Sequence, residues 1–87
     1  MPLVVRIGDT SDHGGAVVSS ASKWRCEGAL IARKGDMFSC PIPGHGVNAI
    51  VEGSSRWKCE DAEIARQGDH TACGASLISG ASKWECD

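Results

Sequence analysis

The chain of 87 residues repeats itself three times. An Arg-x-Gly-Asp pattern occupies Arg6 to Asp9, Arg33 to Asp36 and Arg66 to Asp69. A Ser-(Lys/Arg)-Trp-x-Cys pattern occupies Ser22 to Cys26, Ser55 to Cys59 and Ser82 to Cys86. Self-similarity of this kind marks a structure built from like units, none of which can bury its apolar face alone. Three copies in a single short chain therefore predict a body with approximate threefold symmetry, and this constraint acts before any single residue does.

The spacing shows where the symmetry breaks. The repeat aspartates are 27 and then 33 positions apart, and the tryptophans 33 and then 27. The second copy thus carries six extra residues, around Cys40-Pro41-Ile42-Pro43-Gly44-His45-Gly46. An insertion into one copy of a symmetric body is where a one-of-a-kind feature is expected. The termini fit the same pattern. Pro2 to Arg6 matches Ala29 to Arg33 and Ala62 to Arg66, while the third copy stops at Asp87. The first segment is therefore expected to pair with the last copy, which would remove two exposed sheet edges. The whole chain, residues 1–87, reads as one domain.

Local patterning predicts an all-β fold. No window sustains apolar residues at helical spacing. The segments are short, rich in Val, Ile, Trp and Ser, and punctuated by Gly. Ser22 to Cys26 and Ala29 to Arg33, linked by Glu27-Gly28, read as a β-hairpin, with Gly28 free to take a positive φ. Ser55 to Arg66 repeats it. Trp24 and Cys26 fall on one face of their strand. Residues 16–18, 49–51 and 76–78 are expected as further strands.

Composition excludes several function classes. A net charge of −2 gives no basic footprint for nucleic acid. No apolar run approaches the ~20 residues that span a bilayer as a helix. The N-terminus lacks the basic and apolar regions of a signal peptide, which points to synthesis in the cytoplasm. Five cysteines, an odd number without a signal peptide, argue for thiols or metal ligands over a disulfide framework. A chain this small has a modest core, so a metal staple is a common supplement.

The candidate metal ligands come from the repeat. The fourth residue after each repeat aspartate is His13, Cys40 and Cys73. Threefold repetition would bring these toward one axis, and His45, in the insertion, could supply a fourth ligand. Imidazole and thiolate donors suit zinc better than magnesium or calcium. His70, three residues before Cys73, competes for a place in the set. The other repeated trios have structural readings. Cys26, Cys59 and Cys86 are expected to act as small apolar side chains, and Trp24, Trp57 and Trp84 to form core or a packing face. Asp9, Asp36 and Asp69 are expected to cap turns, with Arg6, Arg33 and Arg66 as candidate ion-pair partners.

The combination of Gly8-Asp9-Thr10-Ser11-Asp12-His13-Gly14-Gly15, of Ala32-Arg33-Lys34-Gly35-Asp36-Met37-Phe38-Ser39-Cys40-Pro41 with a following His45-Gly46, and of Ala65-Arg66-Gln67-Gly68-Asp69-His70-Thr71-Ala72-Cys73-Gly74 resembles the PAAR-repeat proteins across essentially the whole chain. The name motif is degenerate here, keeping only the terminal Ala-Arg of each copy. The resemblance implies a small β cone with a zinc ion near its tip. It implies that the base sits on the trimeric VgrG spike of a bacterial type VI secretion system, and that the protein is secreted through that apparatus toward target cells. Family zinc sites are His-rich with at least one Cys, so His13, His45 and His70 with one Cys stand beside His13, Cys40, His45 and Cys73 as alternatives. A fused toxin domain is not expected.

The reading that follows is a non-enzymatic spike tip, monomeric alone, that meets a target membrane only by puncture and helps attach secreted effectors. Its partner face is expected opposite the metal loops, with Arg25 and Lys58 as outward contact residues. A zinc-stapled module for another partner is one alternative. A zinc hydrolase is the other; it would need an open coordination position and a general base, for which Asp12 is the evident carboxylate.

Overall fold

The fold is a computed structural model that describes residues 2–81, 83 and 84, and the described residues are all-β with no helix. Nine strands of two to four residues are present: β1 (Thr10–Ser11), β2 (Ala16–Val17), β3 (Arg25–Cys26), β4 (Ala29–Leu30), β5 (Met37–Cys40), β6 (Gly46–Ala49), β7 (Lys58–Cys59), β8 (Ala62–Glu63) and β9 (Leu77–Ile78). All paired strands run antiparallel, as β1–β9, β2–β5–β6, β3–β4 and β7–β8. The body measures 32 × 24 × 21 Å.

The repeat closes on itself through its backbone. Val5 N–H donates to the Ala65 carbonyl (3.0 Å), Ala65 to Ala32 (3.0 Å), and Ala32 back to Val5 (2.9 Å). The flanking bridges Val4↔Arg66, Arg6↔Ile31 and Arg33↔Ile64 follow the same cycle. Three equivalent segments thus form a triangle around the pseudo-threefold axis, and residues 4–6 are its third side. Val4 N–H also donates to the Trp84 carbonyl at 2.8 Å. A cycle leaves each segment paired on both sides, so no bare edge remains there.

Each triangle segment ends in the same turn. Asp9, Asp36 and Asp69 amides donate to the carbonyls of Arg6, Arg33 and Arg66. Each aspartate then accepts from the amide of its own arginine at 2.8 Å and pairs with that arginine's guanidinium. The expected turn caps and the candidate ion pairs are one device. The Arg33 guanidinium also reaches the Glu60 carbonyl of its own copy and the Ser20 carbonyl of the first copy. Its hydrogen bond to Asp36 outweighs partial burial and raises its pKa.

The hairpins are shorter than the sequence predicts. Their ladders hold only Arg25↔Leu30 with Cys26↔Ala29, and Lys58↔Glu63 with Cys59↔Ala62. The Ile31 and Ile64 amides still donate to the Trp24 and Trp57 carbonyls, but residues 32–33 and 65–66 leave the hairpins because they are needed for the triangle. Both two-residue turns take positive φ throughout: Glu27 at 50° with Gly28 at 88°, and Glu60 at 50° with Asp61 at 69°. The strand expected at 49–51 lies earlier, at Gly46–Ala49, because the insertion extends β5 and β6 into a four-residue ladder. The outer two strands expected at 16–18 and 76–78 form over Ala16–Val17 and Leu77–Ile78.

Burial is layered along the axis. The upper core holds Val5, Ala32 and Ala65 from the triangle, Val17 of β2, Ile50 just after β6, Leu77 of β9, and Phe38, with Ile42 and Cys73 packed against it. The lower core holds Val4, Ile31 and Ile64 with Cys26, Cys59, Ala21 and Ala81. Cys26 and Cys59 are fully buried there, and burial pushes the Cys59 thiol pKa up, which fits their reading as small apolar side chains. Cys86 lies outside the described residues. Trp24 borders Ile31 from outside the core and stays 56% exposed, so the tryptophans form a rim and not core.

Candidate metal centre

The copies present their fourth post-aspartate residues through related local structures. In the first, the Gly14 amide donates to the Ser11 carbonyl (2.9 Å), and the His13 amide donates to Ser11 Oγ (3.1 Å). In the third, the Gly74 amide donates to the Thr71 carbonyl (2.9 Å), and Thr71 Oγ1 lies 3.1 Å from Cys73 Sγ. In the second, β5 runs on to Cys40, and residues 41–45 arch over to β6, which begins opposite it with the pair Cys40↔Gly46. The arch turns at Ile42-Pro43-Gly44-His45, where the His45 amide donates to the Ile42 carbonyl at 3.0 Å. This turn aims His45 back over Cys40. Gly15 lets the first loop lie close under the arch: at φ 78°, any Cβ there would run into the Ser39 carbonyl oxygen.

The result is a tight group. Ligand atoms of His13, Cys40, His45 and Cys73 all lie within 4.8 Å of one another. Cys40 Sγ is 3.4 Å from His45 Nδ1 and 3.9 Å from His13 Nδ1. For Zn–S near 2.3 Å and Zn–N near 2.05 Å, tetrahedral sulfur and nitrogen donors sit ~3.6 Å apart. The two separations straddle that value, so the donors fit a four-coordinate zinc by chemistry and by spacing. Cys40 is buried and the other three are half-buried, so the group sits at the end of the upper core.

Surrounding groups favour a bound cation. Burial raises the Cys73 thiol pKa, but hydrogen bonds from Thr71, the Ala75 amide, Cys40 and Asn48 overcome it and hold the thiol down to about 6. Asp12 Oδ1 lies 3.9 Å from His13 Nε2, the nitrogen turned away from Cys40, and accepts the Ser76 amide at 2.9 Å. His70 lies elsewhere: it is exposed, with Nδ1 2.7 Å from Glu52 Oε1, and its amide donates to the same carboxylate at 2.8 Å. That contact holds the Glu52 carboxyl below its usual range.

Asn48 is a site residue that sequence reasoning missed. Its Oδ1 accepts the Cys73 amide at 3.1 Å, and its Nδ2 donates to the His45 carbonyl at 3.4 Å. One side chain therefore ties the third copy's ligand turn to the insertion arch. It belongs to a single copy, so no repeat pattern marks it.

Below the lower core, the opposite end carries a second surface. Trp24, Trp57 and Trp84 stand around Val4, Ile31 and Ile64, with Lys58 beside them, enclosing an apolar bowl of about 290 Å³. Each tryptophan is a little over half exposed. Glutamates at the first position of the hairpin turns hold the tryptophan loops from neighbouring copies. Glu60 accepts the Ser22 and Lys23 amides and the Ser22 hydroxyl, and Glu27 accepts the Lys83 and Trp84 amides. The equivalence of Glu27 and Glu60 was visible in the repeat. Arg25 is exposed on β3, where its guanidinium donates to the Gly28 carbonyl.

Comparison with known families gives a single clear result. The PAAR motif family model matches residues 7–79. A search of curated proteins gave no match.

Proposed function

The chain belongs to the PAAR motif family, and from that premise we propose that it is a structural tip that caps the trimeric VgrG spike of a type VI secretion system, with zinc bound by His13, Cys40, His45 and Cys73. The observation that supports this reading most is the bowl. Its floor and rim are two repeat-related trios, Val4, Ile31, Ile64 and Trp24, Trp57, Trp84. A monomer with a threefold apolar face is matched to the axis of a true trimer, because each subunit then meets the same surface. Contiguous exposed aromatic surface marks an interaction site. The metal group lies beyond the upper core, at the other end, where short loops converge with little room for apolar packing. A bound zinc clamps such loops together. Four protein donors complete the coordination of a closed structural site, which supports a non-enzymatic role. Arg25 and Lys58 stand on strands that flank the bowl and belong to the contact surface in this reading, and effectors travel with the assembled tip.

Light scattering of the isolated protein and of its mixture with the trimeric spike tests the proposal. The expected masses are a monomer alone and one chain per trimer in the complex. Trp57→Ala, and Arg25→Glu with Lys58→Glu, should weaken that complex at least tenfold while zinc content stays at one per chain. A stable homotrimer, or three chains per spike, would show that the internal symmetry serves self-assembly. Zinc loss in the charge-reversed protein would put the contact face and the metal on the same end.

A further inference from the structure

Two of the four clustered donors are thiols, and they come from different copies: Cys40 ends β5 in the second, and Cys73 sits in the Thr71–Gly74 turn of the third. Their sulfurs lie within 4.8 Å of each other. Among the described residues the two copies meet here through non-covalent contacts, among them the Cys73 amide on Asn48 Oδ1, the Ile50↔Thr71 bridge, and the Ala72 amide on the Ala49 carbonyl at 2.8 Å. A histidine at either position would ligate a metal as well as cysteine does. Only a pair of cysteines can also bond to each other. Among the described thiols, Cys73 alone has appreciable exposure, since Cys26 and Cys59 are fully buried and Cys40 nearly so.

We propose that Cys40 and Cys73 form an oxidation site, which a peroxide converts into a disulfide that expels the metal and takes over its clamp. The electron balance is complete with the peroxide as oxidant. The more accessible Cys73 thiolate attacks a peroxide oxygen, giving a sulfenic acid and releasing hydroxide. The Cys40 thiolate then displaces the second hydroxide from the Cys73 sulfur and forms the S–S bond. Two sulfurs are oxidised, one peroxide is reduced, and two protons from solvent carry both oxygens away as water. Bond formation at ~2.05 Å requires the short Cys73 turn to draw inward. His13 and His45 alone are too few ligands to retain a structural zinc. The bond closes a 33-residue span between Cys40 and Cys73, so the second and third copies stay joined after the metal leaves. For a protein assembled in a reducing compartment and delivered to an oxidising one, as the proposed function requires, the fastening of the tip then survives the transfer.

The test treats the zinc-loaded full chain with hydrogen peroxide. Zinc release is followed with a chromogenic chelator, and peptide mapping locates the products. Zinc release is expected to rise together with a Cys40–Cys73 disulfide, and a thiol reductant should restore both thiols and zinc binding. Cys73→His keeps four zinc-competent ligands and should release zinc several-fold more slowly. Equal release from Cys73→His, a disulfide mapped to Cys26, Cys59 or Cys86, or sulfinic and sulfonic products at Cys40 and Cys73 would each overturn the proposal. If Cys73→His does not fold, the wild-type map decides alone. Protein purified without zinc would defeat the ligand assignment, yet the Cys40–Cys73 link would still be scored by mapping, so the two failures are distinguishable.

Discussion

At the residue scale, the repeat made three of the clustered donors legible, since His13, Cys40 and Cys73 share one offset from the repeat aspartates. His45 was legible as the histidine of the insertion. What could not be read was the support around them. Asn48 bonds to Cys73 and His45 through contacts that exist only once the arch has folded onto the third copy. Outer partners of this kind typically change metal affinity by roughly 10- to 100-fold. Asn48→Ala is therefore expected to lower zinc affinity within that range while leaving the chain folded at saturating zinc. His13→Ala, which removes a donor, should lower it further, and Lys34→Ala should leave it unchanged. Competition with a chelator of known affinity measures all three. Equal affinity for Asn48→Ala and wild type would reduce Asn48 to a local hairpin bond.

At the element scale, the two-residue turns and the all-β character followed from local patterning, but the strand lengths did not. Residues 31–33 and 64–66 were read as hairpin strands because their alternation suits a ladder. Beyond one hairpin bond each from Ile31 and Ile64 they serve the central triangle, which is a non-local pairing that periodicity cannot see. The insertion acts likewise: six extra residues lengthen a ladder and place His45 over Cys40. Deleting Ile42 to Gly46 should therefore abolish stoichiometric zinc binding, while the hairpins of β3–β4 and β7–β8, anchored in the lower core, persist. Elemental analysis and near-ultraviolet circular dichroism of the tryptophans read the two effects separately. Unchanged zinc content after the deletion would exclude His45 as a ligand and bring His70 back into consideration. A lost tryptophan signal would show that the tip and base layers unfold as one.

At the scale of the whole molecule, the threefold plan was legible from repeat spacing alone, and the chemistry that locks the copies together was not. Beside the backbone triangle, part of that chemistry is carboxylate. Glu60 of the second copy grips Ser22 and Lys23 of the first, and Glu27 of the first grips the loop before Trp84 of the third. Hydrogen bonds from the Ser22 hydroxyl and amide, with help from the Lys23 amide, pull the Glu60 carboxyl down from its usual 4.5 to about 2. A carboxyl depressed in the folded state stabilises it above the unfolded pKa. That contribution fades as pH falls through the folded value, because the unfolded chain takes up the proton first. The window for Glu60 therefore runs from about 4.5 down to about 2. Metal affinity is itself pH-dependent and would obscure this loss in the wild type alone, so the comparison with Glu60→Gln isolates it. Both proteins, prepared without metal, should differ in denaturant midpoint at pH 6, with the wild type higher. The gap should narrow steadily between pH 4.5 and pH 2. A gap that stays constant through that window would mean that Glu60 acts through its shape and not its charge. A gap absent at pH 6 would mean that the copies are held by the central triangle without the carboxylate.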